Sequence, residues 1–407
     1  MHLVISKRFE VSLSYRYYRE DWPPEKNREV FGFWMGGPYG YGGNWTVYFV
    51  LSGPVDEKSG MVINITSVKE RINRLLAGRY DHKFLNRDTP PYDKVVPTPE
   101  NVARRLFSEA RVLFDDESAH LAACHLATSP FDAATAYADG RVERDFWLEF
   151  SAARRTGSPH LSDEENEKLF GVASAKSGHG HFYRLRVTLE GEPDPETGMI
   201  KNENEVVQVL GLLHNSLDHR HLNLEVPELN GLPMTTEFLA RFIFGQLRIS
   251  LPVARVRLWE NPYFFAEYLK NGKSLMGIKT AFRAAHRLHS PLLTDEKNLM
   301  LYGKCNNPQG HGHRYDVEST IDGELDERRG IFYGLDDFHD NLALALESWN
   351  LKHLDLDTPD FKDRPSTGEN IIRVLWNRLE KTLARPLYRL RLWETPNNRF
   401  TLRRSID

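Results

Sequence analysis

The sequence predicts an α+β protein built from three copies of one unit. Three observations carry that expectation: phrases that recur at fixed offsets, stretches that alternate apolar and polar residues, and helical stretches opened by capping residues. Asp81-His82-Lys83-Phe84-Leu85-Asn86 returns as Asp218-His219-Arg220-His221-Leu222-Asn223 at an offset of 137, and Thr98-Pro99-Glu100 returns as Thr235-Thr236-Glu237 at the same offset. From the second copy to the third, Thr235 to Thr367 and Gly180 to Gly312 both give 132. Chance does not produce such agreement, and the copies are expected at 1–118, 141–270 and 275–407.

Within the third copy, His311 to Gly323 alternates toward a turn, which reads as a strand and hairpin, with equivalents at Tyr41 to Gly53 and His179 to Gly191. Asp336 to Ser348 follows as a helix, with Leu335, Phe338, Leu342 and Leu346 on one face. Ser366-Thr367-Gly368-Glu369 reads as a capping box before a helix from Asn370 to Leu383. Tyr388 to Glu394 alternates again as a final strand. Each copy is thus two hairpin-like strand pairs with helices on one sheet face. Loops from about Ala119 to Arg144 and from Asn261 to Lys279 are expected to join the copies.

The 407 residues are 40% hydrophobic and 27% charged, with a formal net charge of -4. That balance gives no general attraction to nucleic acid or to an anionic membrane. The opening residues lack the basic, apolar and small-residue sequence of a secretion signal, and no stretch is long and apolar enough to span a bilayer, so the expectation is a cytoplasmic protein. Two cysteines, Cys124 and Cys305, are too few for a disulfide framework. Cys124 lies outside every motif and is read as structural.

The third copy contains Tyr302-Gly303-Lys304-Cys305-Asn306-Asn307-Pro308-Gln309-Gly310-His311-Gly312-His313, preceded by Phe282-Arg283-Ala284-Ala285-His286-Arg287-Leu288 and followed by Arg391-Leu392-Trp393-Glu394-Thr395-Pro396. In these phrases the chain resembles the 6-pyruvoyl-tetrahydropterin synthase family. Five residues separate Cys305 from His311, closer to the pyruvoyl-forming branch than to the 6-carboxy-tetrahydropterin synthases, where the interval is shorter. The resemblance implies the T-fold: three antiparallel four-stranded sheets, each with two helices on one face, closing into a pseudo-trimeric barrel. It also implies two chains paired face to face.

The metal expectation has its own physical basis. On a strand, residues i and i+2 share a face, so His311 and His313 present both imidazoles to one ion, and His286 adds a third nitrogen. Three protein ligands and an open position are the pattern of catalytic zinc. By resemblance, Cys305 is the base that acts on 7,8-dihydroneopterin triphosphate, and the product is 6-pyruvoyl-tetrahydropterin with triphosphate eliminated. Glu394 matches the glutamate that anchors the pterin, while Thr367 and Glu369 divide between capping and ligand contact. A related pterin lyase, such as a 6-carboxy-tetrahydropterin synthase, and a non-catalytic pterin-binding protein are the other readings.

The copies depart from the family in complementary ways. The third has Asn350-Leu351 where the family carries Asp-His. The second keeps Asp218-His219 and His179-Gly180-His181 but has Ala173 at the cysteine position and Arg154 at the third ligand. The first keeps Asp81-His82, has Tyr41 and Gly43 for the two histidines, and has Asp115 near the anchor position. Because the resembled site lies between subunits, Asp218 and His219 are the expected partners of the third copy, with Asp81 and His82 as the alternative dyad and His353 with Asp355 or Asp357 as a local substitute.

Overall fold

The computed structural model describes residues 2–404. Copy 1 contributes strands β1 (His2–Tyr15), β2 (Tyr41–Ser52), β3 (His120–Ser129) and β4 (Asp132–Tyr137). Copy 2 contributes β5 (Val142–Arg154), β6 (His179–Glu190), β7 (Val253–Asn261) and β8 (Phe264–Leu269), and copy 3 contributes β9 (Ser274–His286), β10 (His311–Gly323), β11 (Leu387–Thr395) and β12 (Asn398–Arg403). All neighbours are antiparallel. The hydrogen-bonded order runs β10-β11-β12-β1-β2-β3-β4-β5-β6-β7-β8-β9 and returns to β10 by the His286 to His311 register, so the twelve strands close into a barrel. Closure removes every sheet edge along the ring.

The stretches expected as joining loops are strands. β3 and β4 occupy most of Ala119 to Arg144, and β7 to β9 cover Asn261 to Lys279, so adjacent copies meet through tight antiparallel hairpins at Gly140 and Gly272. Short apolar strands rich in Ala gave this stretch a weak alternation signal.

Two long helices per copy cover the outer face: α1 (Ile65–Arg79) and α2 (Pro99–Arg111), α3 (Glu203–Leu217) and α4 (Thr236–Leu247), α5 (Leu335–Glu347) and α6 (Gly368–Thr382). Their apolar stripes bury Val68, Ile72 and Leu76 on α1 and Ile371, Ile372, Leu375 and Leu379 on α6. The inner face is polar and satisfied by ion pairs across strands, including Arg257 to Glu267 at 2.8 Å and Arg391 to Glu318 at 2.9 Å. The cap of α6 differs from the expected box: Thr367 is the N-cap and accepts from the Asn370 amide, whereas Glu369 turns away toward another copy.

Each copy also places a short helix and a 3-10 turn between its first two strands. The turns are Gly32–Met35, Gly171–Ser174 and Gly303–Asn306, and each opens on a glycine with φ near 53°, where a side chain would be strained. The third turn residue is Trp34, Ala173 or Cys305.

Candidate active site

His286 ends β9, and His311 and His313 begin β10, directly across the ladder. The three imidazoles form one cluster whose ligating nitrogens all lie within 4.8 Å, with Nε2 of His286 and His311 3.1 Å apart. His286 is fully buried, and its Nδ1 faces the Ser366 carbonyl at 2.9 Å. A carbonyl only accepts, so Nδ1 carries the proton and Nε2 keeps its lone pair for the cluster. Burial, and then the neighbouring imidazoles, push His286 down to about 3, and burial also lowers His311 and His313. Three neutral imidazoles converging this closely suit a tetrahedral ion: with metal–nitrogen bonds of about 2.1 Å, the ligand–ligand edge is about 3.4 Å.

One carboxylate stands by this cluster, and a second is buried where copy 3 meets copy 1. Glu394 Oε1 lies 3.7 Å from His286 Nε2 and 4.0 Å from His313 Nε2, which puts it at the edge of the imidazole cluster. Glu369 lies deeper, 2% exposed, at the first turn of α6; its Oε1 accepts the Val62 amide of copy 1 at 3.1 Å. Burial pushes its carboxyl up to about 7. The Thr367 hydroxyl donates to the Gly60 carbonyl at 2.6 Å while capping α6, so it works as a clamp between copies. Cys305 is half-buried beside this group, and its carbonyl accepts the Leu288 amide at 3.0 Å. Burial, then Glu394, raise its thiol; Lys304 opposes them.

The clamp also sets the direction of the ring. Thr98 of copy 1 donates to Gly198 of copy 2, Thr235 of copy 2 to Gly330 of copy 3, and Thr367 of copy 3 to Gly60 of copy 1, each at 2.6 Å. The pocket of copy 3 therefore faces copy 1.

The dyads occupy equivalent places. The Asp81 carboxylate accepts the Ser12 amide of β1, the Asp218 carboxylate accepts the Ser151 amide of β5, and the Asn350 amide oxygen accepts the Arg283 amide of β9. His82, His219 and Leu351 all adopt positive φ. Asn350-Leu351 thus keeps the backbone device and loses the proton carrier. Both histidines are exposed, and each bonds its aspartate through Nδ1, at 3.0 Å for His82 and 2.7 Å for His219.

Each dyad sits where its strand runs beyond the short hairpin of the preceding copy. β12 pairs with β1 only from His2 to Lys7, and beyond it the side of β1 that borders copy 3 is taken by the Asp81–Phe84 segment. β4 pairs with β5 only from Val142 to Phe146, and beyond it the side of β5 that borders copy 1 is taken by Asp218 to His221. Strand order thus runs against the expected partnership of Asp218 and His219 with copy 3, because their edge borders a different copy. At the local substitute, Asp355 accepts the Arg287 amide and the Ser366 hydroxyl, Asp357 accepts the His353 amide, and His353 Nδ1 lies buried 3.7 Å from Asp355.

In copy 2 the same framework holds Arg154, which is 1% exposed, at the position of His286. Its guanidinium donates to Glu260 at 2.5 Å, and His181 Nε2 lies 2.9 Å from the other oxygen of that carboxylate. Although burial opposes it, Arg154 holds Glu260 down at about 2. In copy 1 the register puts Tyr15, Tyr41 and Gly43 at the three ligand positions, with Tyr15 packed 4.6 Å from Tyr41 and 4.7 Å from Trp45. A side chain at Gly43 would meet the Trp45 ring at 2.5 Å. The anchor position of copy 1 is Thr128 by strand register; Asp115 lies before β3 and away from it.

The repeated Leu-Trp-Glu of Leu258 to Glu260 and Leu392 to Glu394 was the signal for Glu260, whereas the recurrence of Gly60, Gly198 and Gly330 marks the clamp's acceptors without saying which neighbour supplies each one.

The sequence profile of the 6-pyruvoyl tetrahydropterin synthase family matches residues 5–139, 146–271 and 276–405. The 6-pyruvoyl tetrahydrobiopterin synthase of Homo sapiens is 43% identical over 122 residues, covering 30% of this chain and 84% of that protein. The Drosophila melanogaster enzyme of the same name is 39% identical over 123 residues, covering 30% and 73%. The solved 6-pyruvoyl tetrahydropterin synthase of Caenorhabditis elegans is 37% identical, covering 33% of this chain and 96% of that one with a TM-score of 0.32. Three matches that together take in all twelve strands of the barrel establish that the chain belongs to the 6-pyruvoyl tetrahydropterin synthase family.

Proposed function

We propose that the chain is a zinc-dependent lyase that converts 7,8-dihydroneopterin triphosphate to 6-pyruvoyl-tetrahydropterin with release of triphosphate. It has one composite site per chain, between copies 3 and 1. The observation that supports this reading is the arrangement of one interface: copy 3 carries the three-imidazole cluster, Cys305 and the buried Glu369, its α6 is clamped to copy 1, and copy 1 carries Asp81 and His82 on the side of β1 that borders copy 3.

Glu369, rather than Glu394, takes the amino-pyrimidinone edge of the pterin. It lies deep in the pocket, and a carboxylate there can accept the two adjacent N–H groups of the ring. Its proton leaves when the ring binds. Glu394 stands at the imidazole cluster and orients the hydroxylated side chain. A zinc ion held by His286, His311 and His313 would supply Lewis acidity toward the side-chain hydroxyls and acidify the adjacent C–H bonds.

Cys305 takes a proton from a side-chain carbon. The protein's own groups hold its thiol high, so its work as a base depends on the nearby cation and on transfer of its proton to His82. Asp81 holds His82 through Nδ1, which leaves Nε2 to exchange protons with a substrate hydroxyl. The C–O bond to triphosphate breaks as C2' becomes a ketone and C3' a methyl group, and the two electrons lost when C1' is oxidised to a ketone reduce the N5=C6 bond of the ring, so no external oxidant enters.

The test is incubation of the zinc-loaded chain with 7,8-dihydroneopterin triphosphate, with triphosphate and pterin product followed by mass spectrometry. A 6-pyruvoyl product that disappears in Cys305→Ala is expected. A 6-carboxy product would move the chain to the sister activity, and metal binding without turnover would make it a pterin-binding protein.

A further inference from the structure

His286 is the last residue of β9, and its ring donates through Nδ1 to a carbonyl on another element, that of Ser366 at the entry to α6. One carboxylate ties the two together. Asp355, in the short helix Leu354–Asp357, accepts through Oδ2 the amide of Arg287, the residue after His286, at 2.8 Å, and through the same oxygen the hydroxyl of Ser366 at 3.0 Å. Both Ser366 and His286 are fully buried. The main chain beside His286 and the residue that orients its ring thus hang on a single oxygen. With Nδ1 committed to the Ser366 carbonyl, Nε2 is left facing His311 Nε2, 3.1 Å away.

The other copies supply a control within one chain. At the place of Asp355 they carry Asn86 and Asn223, in the equivalent short helices. Each of these side-chain amides closes on one residue: it accepts the Arg16 or Arg155 amide at 2.9 Å and donates to the carbonyl of the same arginine at 3.1 Å. Asparagine therefore suffices to clip the strand end to the short helix. A carboxylate cannot donate, so Asp355 forgoes the second of these bonds and accepts a hydroxyl instead. That hydroxyl is also confined to copy 3, because the residues before Thr98 and Thr235, at the place of Ser366, are Pro97 and Met234. The side chains at the place of His286 in those copies, Tyr15 and Arg154, are not imidazoles. Asp355 and Ser366 thus occur together only in the copy that has all three imidazoles. Barrel stability does not require the pair, since Asn86 and Asn223 meet that need without it.

We propose that Asp355 and Ser366 are positioning residues of the metal centre: they hold His286 in the tautomer and orientation in which Nε2 joins the nitrogens of His311 and His313. This deepens the zinc reading of the function proposed above and rests on it. A histidine ligand is oriented through the ring nitrogen that does not bind the ion, and the groups that fix that nitrogen govern how tightly the ion is held. Asp355 then serves the site as an anchor behind His286 and not as a local base.

The experiment uses the full chain, with zinc and cobalt(II) as probes. Asp355→Asn, Ser366→Ala, the double variant and Asn223→Asp are compared with the wild type by chelator competition for zinc, by the visible spectrum of the cobalt-loaded protein and by thermal unfolding without metal. Asp355→Asn recreates the clip of the other copies, so the metal-free protein should unfold at the wild-type temperature. Its zinc affinity should nevertheless fall about ten- to a hundredfold, the loss that follows removal of a ligand's outer partner. Ser366→Ala should weaken zinc binding in the same direction, and the double variant should be no weaker than Asp355→Asn, because the two residues act through one hydrogen bond. The cobalt bands should shift in these variants and stay in place in Asn223→Asp. Unchanged zinc affinity in Asp355→Asn overturns the proposal. So do additive losses in the double variant, or a fall in metal-free stability as large as the loss of affinity, which would make Asp355 a support of the fold. A wild type that binds no zinc removes the metal centre and this inference with it, whereas zinc held equally by the wild type and the variants removes only the positioning role.

Discussion

The interface between copies 3 and 1 and the interface between copies 2 and 3 use the same strands in the same register, with the same threonine clamp. At the first, three neutral imidazoles converge beside Glu394. At the second, two imidazoles remain and the third ligand is Arg154, whose guanidinium is bonded to Glu260. The difference teaches that a guanidinium at the third position ionises the neighbouring carboxylate, with Glu260 held at about 2, whereas burial raises Glu394 beside the three imidazoles. The interface between copies 1 and 2 has its guanidinium deeper in the pocket, where Arg144 bonds Glu203 at 2.6 Å and stands 3.4 Å from Glu100, the equivalent of Glu369. At the proposed active interface Ile5 takes the place of Arg144, and among the described residues Glu369 has no guanidinium partner. Glu237, its equivalent in copy 2, is likewise buried and raised to about 7, so among the described residues a guanidinium meets the deep carboxylate at the interface of copies 1 and 2 alone.

The largest expected effect separates the two His-x-His sites. His286→Ala should abolish stoichiometric zinc and reduce triphosphate release to background, whereas His179→Ala should change neither, because Arg154 already neutralises Glu260. Metal analysis of the purified variants beside a turnover assay checks both. Metal lost from the His179 variant would show that copy 2 holds an ion despite its arginine.

The dyads provide the next contrast. His82→Ala should lower turnover by about a hundred- to ten-thousandfold, the range for removal of a positioned proton carrier. His219→Ala should leave it within a small factor of wild type, since the β5 edge borders the aromatic pocket of copy 1. Steady-state rates of the two variants decide the direction of the composite site. The reverse result would overturn the Asp81–His82 assignment.

The α+β repeat and the complementary losses were legible in the sequence because they reside in identity and spacing. Asp218-His219 and Asn350-Leu351 align without gaps, and the shared positive φ of His82, His219 and Leu351 bears that alignment out. Ring direction was not legible, since it depends on which neighbour receives each Thr98, Thr235 or Thr367 hydroxyl, a contact between residues hundreds of positions apart in the last case. The depth of Glu369 was hidden for a related reason. A glutamate two residues after an N-cap threonine is the usual solvated first-turn acid, and only the packing of copy 1 over it makes it buried.

That burial gives a pH signature. With its carboxyl raised to about 7, Glu369 is mostly protonated in mildly acidic solution and must release that proton to accept two N–H groups. Dihydroneopterin affinity should therefore fall by roughly tenfold for each pH unit below about 7 and level off above it. Glu369→Gln should bind more weakly at pH 8 and show a flat profile. A wild-type profile without this inflection would show that another group anchors the ring.

The smallest effect on activity, and the sharpest on the comparison, comes from rebuilding the second interface. Arg154→Met removes the cation that holds Glu260 and should destabilise the chain by about 3–5 kcal/mol, as expected when one partner of a buried ion pair is lost. Arg154→His restores a third imidazole beside His179 and His181, with Glu260 at the place of Glu394. Zinc should then restore the stability lost with the arginine, and metal content should rise by one ion per chain. Turnover should stay at the wild-type level, because copy 2 has Ala173 where copy 3 has Cys305 and faces Asn350-Leu351 where copy 3 faces Asp81-His82. A second ion without a second activity would separate the two requirements of this fold: three imidazoles on adjacent strands make the metal site, and only a neighbour with an intact dyad makes it catalytic.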